Sequence, residues 1–217
     1  MKKMLLAATA IAAAVFAGSA SATDFAGGTI SYNIAATSDY VFRGFSQTDG
    51  DPAIQGGIDY SNGIFYTGAW ASNVDFADYE LDIYAGVKPV VGSFTFDLGA
   101  IYYNYNDGSL DSTELKAAVS HPLGKGSVGI AAYHNLDFDD TNYYEVNASY
   151  PITEKLGVSG AIGEQDLGGA KYTTGNIGLT YAITPNFSVD GRFSDTNIPE
   201  VIEPSKSRFF VTLKAAF

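Results

Sequence analysis

The chain contains no cysteine, one tryptophan and two methionines. Without cysteine there is no disulfide framework, no thiol nucleophile and no thiolate-bound metal. Histidine is scarce too: His121 and His134 are the only two, little material for a histidine-based catalytic centre. Apolar runs are short. The stretch from residue 4 to residue 16 is too brief to span a bilayer as a helix, and no later one reaches the roughly 18 apolar residues required. Basic residues are outnumbered, 12 Lys and Arg against 24 Asp and Glu, for a formal net charge of −12. That excess argues against nucleic acid, whose phosphates need cationic side chains, and fits small cations or other cationic solutes better.

What is present begins with Lys2 and Lys3, the apolar run, and the small residues Ala20-Ser21-Ala22. This is the order of a secretory signal peptide with its cleavage site. Residues 1–22 are expected to be removed, leaving residues 23–217 as one domain starting near Thr23. Losing Lys2 and Lys3 takes the formal charge from −12 to −14. The composition is rich in Gly (24), Tyr (15) and Phe (14). In short strands these suit a membrane barrel, with aromatics at the two interfaces and glycines at bends.

From Gly27 onward the chain is a succession of segments with apolar residues at every second position, the period of a strand with two different faces. Five tight turns fall near residues 61–63, 91–93, 123–126, 153–155 and 184–186, with Gly, Pro and Asn chemistry. Six longer polar connections, near 45–52, 75–79, 106–112, 137–142, 165–171 and 195–206, alternate strictly with them. Eleven connections make twelve strands, at roughly 28–43, 53–61, 63–74, 80–91, 93–106, 112–123, 126–137, 142–152, 155–165, 172–183, 186–196 and 207–217. Merging two pairs would give ten. Short turns on one side and long loops on the other, with both termini on the turn side, are the asymmetry of a bacterial outer-membrane barrel. The predicted fold is therefore all-β, a single antiparallel up-and-down transmembrane barrel. The last strand ends on Phe217, with Phe209, Val211, Leu213 and Ala215 at alternate positions before it, the pattern of a signal read by outer-membrane assembly machinery.

Alternation also predicts facing. Sets such as Ile30/Tyr32/Ile34, Leu81/Ile83 and Ile177/Leu179/Tyr181 are assigned to lipid. Asp39, Asp59, Asp82, Asp97, Glu114, Glu145 and Asp190, with Lys88, Lys116, Arg192, Arg208 and Lys214, are assigned to the lumen. Arg43 joins them if it points inward. Aromatics near strand ends, including Tyr40, Phe42, Trp70, Tyr102, Tyr143 and Tyr144 on the loop side, are expected in an interfacial girdle. A soluble sandwich would show the same alternation with the faces reversed.

The segment Thr37-Ser38-Asp39-Tyr40-Val41-Phe42-Arg43-Gly44, with Ser46-Gln47 and later Trp70-Ala71-Ser72-Asn73-Val74 and Glu80-Leu81-Asp82, resembles the TorF family of putative porins. The resemblance implies an outer-membrane barrel and passive solute passage, with no catalytic residue. On a straight strand Asp39 and Arg43 would share the lumenal face about 13 Å apart, at roughly 3.3 Å per residue, too far to bond. Arg43 then needs a carboxylate from another strand, and Asp59 and Asp82 are candidates. Two roles are open: a charged constriction near the outer mouth, or an ion pair that holds the first loop against the wall.

Three functions compete at this level. A porin-like channel for small solutes or ions, with weak cation preference from the slight excess of lumenal acids, leads. A non-conducting barrel, filled by side chains such as Tyr84, Tyr103 and Tyr133, is the alternative. An enzyme is the weakest, because there is no G-x-S-x-G elbow and His134 could meet Ser112 or Ser194 only by accident of folding. Acidic loops, including Asp137, Asp139 and Asp140, could hold a divalent ion against lipopolysaccharide or simply form a solvated rim. No cofactor is implied, and no metal ligand set is assigned. The expected partners are outer-membrane lipid, lipopolysaccharide, the assembly machinery and small solutes.

Overall fold

The computed structural model describes residues 23–106, 108–199 and 203–217. The expected signal peptide, Asp107 and Glu200 lie outside the described residues. Among the described residues, twelve long strands close into one antiparallel barrel. They are β1 (Gly28–Thr37), β2 (Ala53–Asn62), β3 (Phe65–Ser72), β4 (Glu80–Val87), β5 (Phe94–Tyr105), β6 (Ser112–Leu123), β7 (Gly126–Asn135), β8 (Thr141–Pro151), β9 (Leu156–Leu167), β10 (Lys171–Ala182), β11 (Phe187–Thr196) and β12 (Arg208–Ala216). Each pairs with its sequence neighbour, and β12 returns to β1. Closure leaves no open edge, which a chain in hydrocarbon requires because unpaired backbone groups have no water to bond.

The closing seam is the shortest ladder. β12 meets β1 only over Thr212–Ala216 against Asn33–Thr37, whereas β8 runs from Thr141 to Pro151 against β9. Above Thr37 the two strands are joined by Ser38, whose N–H donates to Val211 O and whose hydroxyl accepts from Val211 N–H. Below, Phe217 exchanges both backbone bonds with Tyr32, and its ring meets Phe187 edge-on at 6.3 Å.

The faces follow the period of two. Ile34, Ile54, Ile83, Leu115, Ile130, Val146, Ile162, Ile177, Phe209 and Leu213 all project outward and are exposed. A continuous apolar belt of this kind is stable only against lipid. On β3, Phe65, Thr67 and Ala69 face out, while Tyr66 and Trp70 face in, as their interior partners Asp97 and Tyr40 show.

Three departures from the sequence reading have local causes. The fourth strand stops at Val87, before Pro89, which has no N–H to donate to a ladder; Val90–Val91 pairs separately with Phe94 and Thr95. The first strand ends at Thr37 rather than residue 43, because the chain leaves the wall and turns inward. Finally, Tyr40, Phe42, Trp70 and Tyr143 do not join the girdle. Tyr40, Phe42 and Tyr143 are buried in the interior, and Trp70 packs edge-on against Tyr40 with ring centroids 5.5 Å apart. Tyr102 and Tyr144 do face outward and are exposed.

Candidate functional site

The first loop, residues 38–52, enters the barrel at its outer end. It carries a miniature hairpin in which Val41 and Phe42 pair with Ser46 and Phe45. Only Arg43 and Gly44 lie between, at φ 44° and 85°. A two-residue hairpin of this hand needs positive φ at both positions and normally takes Asn-Gly. Arginine there costs roughly 1 kcal/mol or more, so its environment must hold it in place. Gly44 has no substitute: a Cβ would sit 2.3 Å from Thr196 Cγ2 on β11 and 2.6 Å from Thr174 Oγ1 on β10.

The environment of Arg43 supplies that hold. Nη1 and Nη2 donate to Glu114 Oε1 and Oε2 at 2.9 and 2.8 Å, and Nη1 also donates to Gln165 Oε1 at 3.1 Å. The guanidinium carbon lies 4.2 Å from the Tyr143 ring centroid, 4.9 Å from that of Tyr133 and 4.6 Å from that of Phe42. Tyr172 Oη donates to the Arg43 carbonyl at 3.1 Å. Glu114 stands on β6, Tyr133 on β7, Tyr143 on β8, Gln165 on β9 and Tyr172 on β10, so a loop rooted between β1 and β2 is fastened across the full lumen. Tyr103 Oη, from β5, donates to Glu114 at 3.0 Å. Tyr143 reaches the arginine because it lies over Gly163, where a Cβ would stand 2.3 Å from its hydroxyl.

The root of the loop is fixed as well. Asp39 accepts from Arg208 Nη1 at 2.6 Å and from Ser46 Oγ at 2.6 Å. Tyr40, Phe42, Ala53 and Val74 form an apolar cluster beside it, and Phe76 links this to a second cluster containing Ile101, Tyr103 and Tyr105. The outer half of the interior is filled in consequence: Tyr103, Gln165 and Glu80 are each 0% exposed, and Asp82 and Glu114 are nearly so.

The inner half is different. Tyr84 Oη donates to Asp59 at 2.6 Å, and Tyr66 Oη to Asp97 at 2.7 Å. Asp97 also receives Lys116 Nζ at 2.6 Å and Lys88 Nζ at 3.7 Å, the latter over the Tyr66 ring. Arg192 pairs with Asp190 at 3.1 Å and donates to Asn176 and Ser159. Glu145 accepts from Tyr143 and Asn147. Water reaches this half: the Lys88 side chain is 52% exposed and Lys214 is exposed.

The structure therefore pairs Asp39 with Arg208, Arg43 with Glu114, Lys116 with Asp97 and Asp190 with Arg192. The candidates Asp59 and Asp82 do not meet Arg43; Asp59 is taken by Tyr84, and the guanidinium crosses to the far wall because its backbone sits on the inward hairpin. Gln165, Tyr172 and Glu80 belong to the site and escaped the sequence reading. The usable signal was Arg-Gly between two apolar-containing pairs, Val41-Phe42 and Phe45-Ser46, a hairpin pattern.

Both histidines have other partners. His121 Nε2 lies 2.9 Å from Ser93 Oγ by a tight turn, and His134 Nδ1 lies 2.9 Å from Asn142 Oδ1. Neither meets Ser112 or Ser194. In the loops, Asp137 accepts from the Thr113 N–H, and among the described residues no three His, Asp or Glu gather to hold a metal ion. Asp111 organises its loop. Burial pushes its carboxyl up, but hydrogen bonds from Tyr102, the Tyr105 N–H and Asn104 outweigh this and hold it below the ordinary carboxylate range.

A closed antiparallel barrel with an apolar belt, a polar ion-paired interior and an infolded loop defines a porin-like membrane barrel. The chain belongs to a family described as "Bacterial protein of unknown function (Gcw_chp)", whose model matches residues 21–217. No curated protein matches it in sequence. Among solved structures it is similar to KdgM porin, with a TM-score of 0.65 at 11% identity over 87% of this chain and 98% of that one. It is also similar to NanC porin, with a TM-score of 0.59 at 9% identity over 86% and 98%. At such identities the likeness is one of fold.

Proposed function

We propose that the protein is an outer-membrane channel of a Gram-negative bacterium for passive diffusion of small solutes or ions, with a weak preference for cations. The observation that carries this reading is the closed barrel whose inner half is polar and water-accessible. The shared fold with porins supports it, as does the resemblance to the TorF family. Cation preference follows from the charge at the outer mouth. In the inner half Asp59, Asp97, Glu145 and Asp190 balance Lys88, Lys116, Arg192 and Lys214, whereas the loops carry the exposed acids Asp49, Asp51, Asp75, Asp78, Asp137 and Asp139. Like-charged mouths concentrate counter-ions. In this reading lipid and lipopolysaccharide surround the belt, and the assembly machinery reads Phe217.

A second reading, a non-conducting barrel with a structural role, is favoured by the filled outer half. Planar-bilayer recording in a salt gradient separates the two. Discrete conductance steps with a reversal potential on the cation side are expected. Anion selectivity would remove the charge argument, and silence from correctly folded protein under every condition would favour the structural role.

A further inference from the structure

The wall that receives Arg43 has the composition of a guanidinium receptor. Glu114 offers two carboxylate oxygens in a fork, Gln165 a third acceptor, and Tyr133 and Tyr143 two ring faces. A planar cation with parallel N–H donors matches that set in shape as well as charge, and an ammonium does not. Glu114, Gln165, Tyr133 and Tyr143 all stand on barrel strands, so the pocket is built independently of the loop that fills it. The loop itself is held inside the barrel by a short set of contacts: the arginine with its acceptors and ring faces, one hydroxyl on the Arg43 carbonyl, the edge-on Phe45–Tyr172 contact at 5.2 Å, and van der Waals contact at Gly44. Its hairpin pairs with itself and adds no strand to the barrel.

We propose that this pocket is a binding site for guanidinium-bearing solutes, that Arg43 is its tethered occupant, and that such a solute opens the outer mouth by taking Arg43's place. The gating part rests on the channel reading above. Arg43 on a loop anchored at both ends competes at an effective concentration in the millimolar range, so a free competitor acts at about 10 mM or above. The strained φ of Arg43 works in the same direction, because release relieves it.

Bilayer recording and equilibrium dialysis on the full-length refolded protein test this, with folding checked by heat-modifiable electrophoretic migration. Four proteins are compared: the unaltered chain, Arg43→Ala, Glu114→Gln, and a barrel in which residues 39–50 are replaced by Asn-Gly. The unaltered chain is expected to be mostly closed, Arg43→Ala and Glu114→Gln to raise open probability at least tenfold, and the loop-replaced barrel to stay open. L-Argininamide at tens of millimolar should open the unaltered chain, and L-lysinamide at the same ionic strength should not. In dialysis, Arg43→Ala should bind argininamide, and Arg43→Ala combined with Glu114→Gln should not. A conducting loop-replaced barrel alongside Arg43→Ala and Glu114→Gln proteins as closed as the parent overturns the latch. Argininamide no better than lysinamide, in recording or in dialysis, overturns the guanidinium site. A folded loop-replaced barrel that conducts nothing refutes the channel reading itself, and the dialysis result then decides the pocket alone.

Discussion

The two halves of the interior use the same residue types to opposite ends. In the outer half, Arg43 pairs with Glu114 across the whole lumen with side chains only 4% and 3% exposed, and Arg208 pairs with Asp39 across the β1–β12 seam. In the inner half, pairs such as Arg192–Asp190 lie along one strand and touch water. Burial decides what each contributes. A dry pair ties two parts of the chain together and makes loss of one partner expensive, while a wet pair holds side chains against the wall at little net gain. The outer half is therefore a fastening and the inner half a lining.

The sharpest way to break this contrast is to remove one partner of the dry pair. Arg43→Ala should leave Glu114 buried without its cation and destabilise the folded barrel by about 3–5 kcal/mol, measured by urea unfolding in lipid vesicles. Replacing both partners by leucine should recover most of that loss. Should the single and double variants be equally unstable, the penalty lies in packing and not in stranded charge.

A somewhat smaller effect is expected from Gly44→Val. The added carbons meet Thr196 and Thr174, and the residue must keep φ 85°, so about 2–3 kcal/mol should be lost, on the scale of overpacking combined with backbone strain. In the inner half, Arg192→Ala should cost only about 1 kcal/mol, the range of partly hydrated hydrogen bonds. It should instead shift the reversal potential further toward cations, because Asp190 loses its counter-charge. An unfolding loss as large as that of Arg43→Ala would erase the distinction between the halves.

The smallest effect belongs to the loops. Asp111 has its folded pKa depressed by its hydrogen bonds, so its contribution is present above the unfolded carboxylate value, about 3.9, and is lost as pH falls through the folded value. Hydrogen exchange at the Tyr105 amide, which Asp111 accepts at 2.9 Å, should lose protection on acidification below about pH 4. Asp111→Asn should show weaker protection with no such pH step.

Most of the barrel was legible in the sequence because its physics is local. A period of two, punctuated by turn chemistry, sets ten of the twelve strands to within about two residues at each end. The failures cluster at the candidate site. From Thr37 to Arg43, Tyr40 and Phe42 keep the register of the outward-facing set and Asp39 and Arg43 that of the inward one, since a re-entrant hairpin has the same period as a wall strand; Ser38 and Val41 are out of step, but nothing local says which way the chain bends. Likewise Gln165 and Tyr172 look like ordinary strand-end residues. Their role comes from lying opposite the loop's root, a relation that only barrel closure creates. Trp70 and Tyr143 misled for a related reason: aromatics near strand ends suit an interfacial girdle and a packed plug equally well.

The short seam between β1 and β12 has a mechanical meaning. Its upper stretch depends on Ser38 and on the Asp39–Arg208 ion pair in place of a continuous ladder. Under tension applied to the ends of the chain, rupture should start along this line, and the infolded loop, rooted immediately beside it, should be dragged from its berth in the same event. Anchoring of the outer mouth and cohesion of the cylinder thus share one weak point.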